Sequence, residues 1–170
     1  KIYQIVVPAS MDPVRDQNSV LMLRKEVFPG KWREITDDVR NMFGNKKVPV
    51  ADGDILAIET QDSSGQDYVL ASFHGDTNGL ATIPVLDAIV QAMAKSEKLR
   101  NARLIFGLDA NTYEDGKPGK TQDVMEWGRH YITHGLTSCW GDVPQKSNYT
   151  TYNARTYLQP QLNKACKQSD

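Results

Sequence analysis

Between residues 68 and 113 two short apolar runs, each closed by a cluster of polar side chains, flank a segment with helical periodicity, and few chain paths accommodate that order. The first run, Tyr68 to Phe73, reads as a strand and ends in His74, Asp76 and Asn78. The second, Leu104-Ile105-Phe106, has the character of a buried strand; Gly107 breaks it, and Asp109 and Asn111 follow at a spacing of two. In extended backbone alternate residues point to the same side, so this carboxylate and this amide are placed to share a workspace. A carboxylate beside an amide at the end of a buried strand suits a site that activates water and holds an anion. The same pair also suits a plain turn, because Asp and Asn side chains cap local backbone.

The segment between the runs predicts a helix over residues 79–97, with Leu80, Ile83, Leu86, Ile89, Val90 and Met93 on one face. Pro84 falls near its front, where a missing N–H costs little. Upstream, residues 2–7 read as a strand closed by Pro8, and Ser19 to Leu23 as another that runs into an Arg24-Lys25-Glu26 surface turn. A helical pattern covers Trp32 to Phe43, with its start at Thr36-Asp37-Asp38. Residues 54–60 read as a strand joined to 68–73 by a polar turn, which is the pattern of an antiparallel hairpin. Downstream, Thr121 to Thr133 predicts a helix capped by Thr121, with Val124, Met125, Gly128 and Ile132 inside. Trp127 and Trp140 are expected in the core, and the Thr- and Tyr-rich residues 148–159 in a half-buried strand. Strands and helices alternating this way predict an α/β fold with two sheets and helices packed outside.

At 170 residues the chain suits one domain and is short for two. A net charge of -1 with 24% charged residues advertises no basic field for nucleic acid, although a local groove is compatible with a neutral total. No apolar run reaches the length of a membrane span, and the first residues do not form a secretory leader. Cys139 and Cys166 are too few for a disulfide framework, and the Asn148-Tyr149-Thr150 glycosylation triplet matters only in a secreted protein, so the compartment stays open.

Taken together, the strand ending in His74, the helix and the strand ending in Gly107-Leu108-Asp109-Ala110-Asn111 resemble the endonuclease/exonuclease/phosphatase superfamily. These metal-dependent phosphoesterases include deoxyribonuclease I-like nucleases, deadenylases, sphingomyelinases and inositol-polyphosphate phosphatases. The family's Gly-Asp-x-Asn motif appears here with one residue inserted between Gly and Asp. The resemblance extends from about Ser19 to Leu162 and implies a two-sheet α/β sandwich, incomplete in this chain. It implies that Asp109 orients and deprotonates the attacking water, that Asn111 donates to a phosphoryl oxygen and that His74 bonds a non-bridging oxygen or shuttles a proton. Mg²⁺ is the implied cofactor, and a phosphate ester of nucleic acid, phospholipid or inositol the implied substrate.

Asn78, Asn153 and Arg155 are candidates to contact that substrate, with a helix cap for Asn78 and a solvated strand face for the other two as the plainer assignments. His130 and His134 have the spacing of a helical metal pair but no third ligand close in sequence, which argues against a metal site there. The family also requires an N-terminal Asn, a metal-binding Glu on the following strand and a late Asp-His pair, and none is found; Glu26 sits in the wrong setting for the Glu. The expectation is therefore a single partial domain over residues 1–170, cut from a longer phosphoesterase. The alternatives are an inactive member serving as a structural or binding subunit of an assembly, and an unrelated α/β domain whose Asp and Asn merely turn the chain.

Overall fold

The strand Ile55–Gln61 (β4) is buried at every residue but its last, so apolar side chains on both of its faces require cover. The computed structural model describes residues 2–14 and 17–146 and shows two different covers. On one face, Ile55 and Ala57 join Val69, Ala71 and Phe73 of the strand Asp67–His74 (β5). They pack against Val85, Ala88, Ile89 and Ala92 of the helix Thr82–Lys95 (α2), and against Ile35 and Val39 at the helix Thr36–Asn41 (α1). On the other face, Leu56, Ile58 and Leu70 meet Val6 and Leu23. Those two residues belong to an antiparallel ribbon of Tyr3–Val6 (β1) and Leu21–Arg24 (β2). Each fully buried Ile, Leu or Val in these layers contributes about 1.5–3 kcal/mol.

The larger sheet runs β3-β4-β5-β6, with Arg33–Glu34 as β3 and Arg103–Asp109 as β6. β4 and β5 form the expected antiparallel hairpin, whereas β5 and β6 are parallel and are linked through α2. Among the described residues, the chain is thus a small α/β fold with a two-stranded and a four-stranded sheet. The third helix, Val124–Thr133 (α3), follows the sheet. No helix among the described residues is long and apolar enough to cross a membrane.

Several expectations are corrected. Gly107 does not break β6, which continues through it to Asp109. Nor is β6 buried: it is an edge strand whose residues alternate between exposed and half-buried, leaving Ile105 54% exposed. An unbroken apolar triplet cannot distinguish a central strand from an edge strand that has one face covered. The helix begins at Thr36, as its Thr36-Asp37-Asp38 start predicts, and spans Thr36–Asn41; ahead of it Arg33 and Glu34 pair with Glu59 and Ile58, and the Ile35 N–H donates to Ala57 O at 2.8 Å.

On α2 the stripe of large residues is only part of the inner face, since Ala88 and Ala92 lie against the sheet while Ile83, Val90 and Met93 are half-buried. α3 is capped by Asp123, not Thr121: the Asp123 carboxylate accepts from Met125 N at 2.8 Å and Glu126 N at 3.0 Å. Ile132 and Trp140 are exposed rather than core, and Trp127 is half-buried against Tyr131. Residues 148–159, with Asn153 and Arg155, lie outside the described residues, as do the Asn148 triplet and Cys166.

Candidate functional site

Parallel pairing of β5 with β6 places His74 opposite Asp109, so both strands deliver their polar ends to one edge of the sheet. In open α/β sheets this C-terminal edge is where ligands bind. His74 Nε2 lies 3.8 Å from Asp109 Oδ2, too far for a hydrogen bond and close enough for both to touch one small group. The Asp109 side chain is 61% exposed and that of His74 28%. His74 Nδ1 points inward, buried, with no hydrogen-bond partner among the described residues.

The two loops that leave these strands are tied to one another. Gly75 N donates to Asp109 O at 3.0 Å, and Asn111 Nδ2 returns a bond to Gly75 O at 2.9 Å. Thr82 Oγ1 donates to Ala110 O at 2.9 Å, Tyr113 Oη to Thr77 O at 3.0 Å and Gln122 N to Asn78 O at 2.8 Å. The approach is close enough to dictate a residue. Gly79 has φ +70°, and a Cβ built there would lie 2.7 Å from Asn111 O and 2.8 Å from Ala110 O. Backbone strain and backbone collision both exclude a side chain at that position.

The Asp109-x-Asn111 unit differs from its extended reading. Asn111 has φ +46°, and its N–H donates to Asp109 Oδ1 at 3.1 Å, so the turn assignment describes the backbone correctly. Only Asp109 Oδ2 then faces His74. The Asn111 amide is also not a free double donor, since Nδ2 is already anchored on Gly75 O. Asp76, not Asn78, ties the loop down: its Oδ1 accepts from Ala81 N at 2.8 Å and its Oδ2 from Asn78 N at 3.2 Å. Asn78 is exposed on the rim and does not cap α2, whose N-cap is Ala81. Glu26 lies in an exposed turn, paired with Arg24 at 2.5 Å. Beside the loop, Lys46 and Lys47 form one wall of an open cleft of about 520 Å³ whose other wall includes Leu80 and Pro84.

The described residues do not amount to a Mg²⁺ site at this edge. Mg²⁺ requires near-octahedral oxygen ligation. Here Asp109 presents one oxygen not engaged by backbone, both oxygens of Asp76 are taken by N–H groups, and Asp54, whose carbonyl accepts from His74 N, is buried with its carboxylate accepting from Ala51 N.

The described residues with metal-ligand geometry are elsewhere. Asp87 of α2 places Oδ1 2.7 Å from Nε2 of His130, on α3, and 3.0 Å from Nε2 of His134, the C-cap of α3. Asp87 is the third partner that the spacing of the two histidines did not reveal. Its signal in the sequence was slight: it is the one acidic residue of α2, 43 residues from His130.

No family model, no curated protein and no solved structure matches this chain. The class defined by fold and site is therefore a small α/β domain with an imidazole-carboxylate pair at the end of two parallel strands.

Proposed function

We propose that the chain carries part of the active site of a phosphoesterase of the endonuclease/exonuclease/phosphatase type, its two sheets belonging to that superfamily's α/β sandwich. The observation that carries the reading is the 3.8 Å separation of His74 Nε2 and Asp109 Oδ2 on adjacent parallel strands. A water about 2.8 Å from Asp109 Oδ2 fits in that gap, with Asp109 as the proton acceptor and His74 Nε2 left for the substrate. Nε2 is the His74 nitrogen directed at the gap, and carrying the imidazole proton it donates to a non-bridging phosphoryl oxygen. Asn111, fixed by one amide hydrogen, keeps the other for the substrate. Its first role is to help hold the two loops in register, and a misplacement of about 1 Å can cost about 10²-fold in rate.

Mg²⁺ remains the proposed cofactor on the strength of the resemblance, but no step is assigned to it, because the residues described at this edge do not hold it. Release of phosphate or of cleaved product should be measured on DNA, RNA, sphingomyelin and inositol phosphates, with Mg²⁺ and with EDTA. Turnover that disappears in Asp109→Ala and in His74→Ala supports the reading. Turnover unchanged in Asp109→Ala ends it.

A second reading, an inactive member serving an assembly, is supported by the outward face of the β1–β2 ribbon. Tyr3, Ile5, Val7, Val20 and Met22 are 45–65% exposed there, with Ile5 opposite Met22. Exposed apolar area of this kind marks interaction surfaces. Measurable turnover by the wild type excludes that reading.

A further inference from the structure

We infer that Asp87, His130 and His134 form a binding site for a divalent transition-metal ion of the Zn²⁺ class, which clips α3 onto α2. The sequence puts His130 and His134 four residues apart, so both imidazoles leave the same face of α3 one turn apart. Their rings meet at 5.1 Å in a T-shaped arrangement, and both present Nε2 to the same oxygen of Asp87. One potential ligand atom from each residue lies within 4.8 Å of the other two. A tetrahedral ion at about 2.0–2.1 Å from each donor needs donors about 3.3–3.4 Å apart. The two Asp87 contacts therefore widen by about 0.3–0.7 Å, and the two imidazole nitrogens, within 4.8 Å of one another, close to the same spacing.

The chemistry of the donors selects the ion. Two nitrogens and one oxygen suit Zn²⁺, Co²⁺, Ni²⁺ or Cu²⁺ and reject Mg²⁺, which prefers an all-oxygen shell. On binding, each imidazole gives up the Nε2 proton now directed at Asp87 Oδ1, turns that nitrogen's lone pair to the ion and carries its remaining proton on Nδ1. The three side chains are 24–35% exposed, which leaves an ion a path in and a fourth position for water.

The fold gives the ion a structural task. Gly128 is the buried residue of α3, and the helix is otherwise held by Asp123 at its start and by the fit of Gly128 against Pro144. A three-ligand clip near its C-terminal end adds a fastening where Ile132 and Thr133 are exposed. This inference is independent of the phosphoesterase reading, because none of its three residues belongs to the His74-Asp109 edge.

The test is a titration of the full chain with Zn²⁺ and with Co²⁺, followed by thermal denaturation and by visible absorption. The wild type should show a Tm that climbs with Zn²⁺ concentration, a tetrahedral Co²⁺ band in the visible, and neither response to Mg²⁺. His134→Ala and Asp87→Asn should lose the band and the Tm response, with far-UV circular dichroism confirming the fold. Cys139→Ser should keep both. A wild type that shows no Co²⁺ band and no Zn²⁺-dependent Tm overturns the proposal. So does a response that persists in folded Asp87→Asn and His134→Ala, or one that vanishes with Cys139→Ser.

Discussion

At the end of β5 and β6 an imidazole and a carboxylate stand 3.8 Å apart, whereas between α2 and α3 one carboxylate oxygen touches two imidazoles at 2.7 and 3.0 Å. The first pair is set by backbone. A parallel ladder runs from Tyr68 opposite Arg103 to His74 opposite Asp109, and the bonds between the following loops fix the residues beyond it. The second is set by side chains reaching across two helices. A backbone-fixed gap is preorganised to receive a reacting group and resists adjustment. A side-chain cluster on helices can close around an ion and open again. The two places should therefore respond independently to substitution.

The largest effect is expected at the strand-end pair. Asp109→Ala or His74→Ala should reduce phosphoester turnover by about 10²- to 10⁴-fold, the usual contribution of a general acid or base. Neither should move the Zn²⁺-dependent rise in Tm. Conversely, Asp87→Asn should abolish that rise and leave turnover within a factor of two or so of wild type, since separate sites with no shared partners are close to additive. Turnover assays and metal-dependent melting curves on the same four proteins decide it. Simultaneous loss of both properties in either class of variant would mean that one site supports the other.

Gly79→Ala attacks the backbone that fixes the first pair. The φ of +70° and the 2.7 Å approach to Asn111 O together predict a destabilisation of about 1–3 kcal/mol. Turnover should fall with it, because the loop carrying Gly75 and Asn78 must move away from Ala110 and Asn111. Denaturant unfolding monitored at the tryptophans measures the first effect, and the helix-borne cluster should still bind metal in the folded fraction.

The legibility of the two places differs for the same reason. Strand ends are local, so the run from Tyr68 to His74 and the run to Asp109 could be read from residue order, and so could the hairpin before them and the helix between. Sequence spacing alone did not show that β6 lies at an edge, because Leu104-Ile105-Phe106 looks the same whether one or two faces are covered. Nor did it show that Asn111 turns left-handed, since Asp-x-Asn fits both an extended path and an Asx turn. Asp87 was out of reach for a further reason. Its partners lie 43 and 47 residues away, and only the docking of α3 on α2 brings them together. The Asp123 cap was hidden by Thr121, an equally good capping type two residues earlier.

An acid titration separates the sheet from the helix pair. Glu59, 8% exposed on β4, is held between Arg33 at 3.2 Å and Lys98 at 2.9 Å. Burial pushes its carboxyl up, but the hydrogen bonds from Arg33 and Lys98 outweigh burial and the net direction is down from 4.5. A depressed folded value means the unfolded chain takes up the proton first. Glu59 thus stabilises the fold above the unfolded value, and its contribution is lost as pH drops below about 4.5 through the folded one. Glu59→Gln should cost about 0.5–1.5 kcal/mol at neutral pH: the charge-assisted bonds are weakened, but Arg33 and Lys98 are more than half exposed and Arg33 keeps Asp38. The variant should also show a flatter stability profile between pH 5 and pH 3 than the wild type, measured by urea unfolding at each pH.

A comparably small effect tests the helix side in isolation. Asp123 accepts from the N–H groups of Gly116, Met125 and Glu126, and the Glu126 bond leads the causes that hold its carboxyl below the usual range. Asp123→Ala removes the cap of α3 and should cost about 0.5–2 kcal/mol. The loss falls on the first turn, whereas His130 and His134 occupy the last turn and the C-cap. If the metal clip holds that far end, Zn²⁺ should restore most of the lost Tm in Asp123→Ala and none of it in Asp123→Ala/His134→Ala. A double variant that Zn²⁺ rescues as fully as the single one would show the clip to be absent. Turnover at the strand-end pair should be unchanged in both, because Gln122 N still joins Asn78 O and the tie between β5 and β6 does not pass through α3.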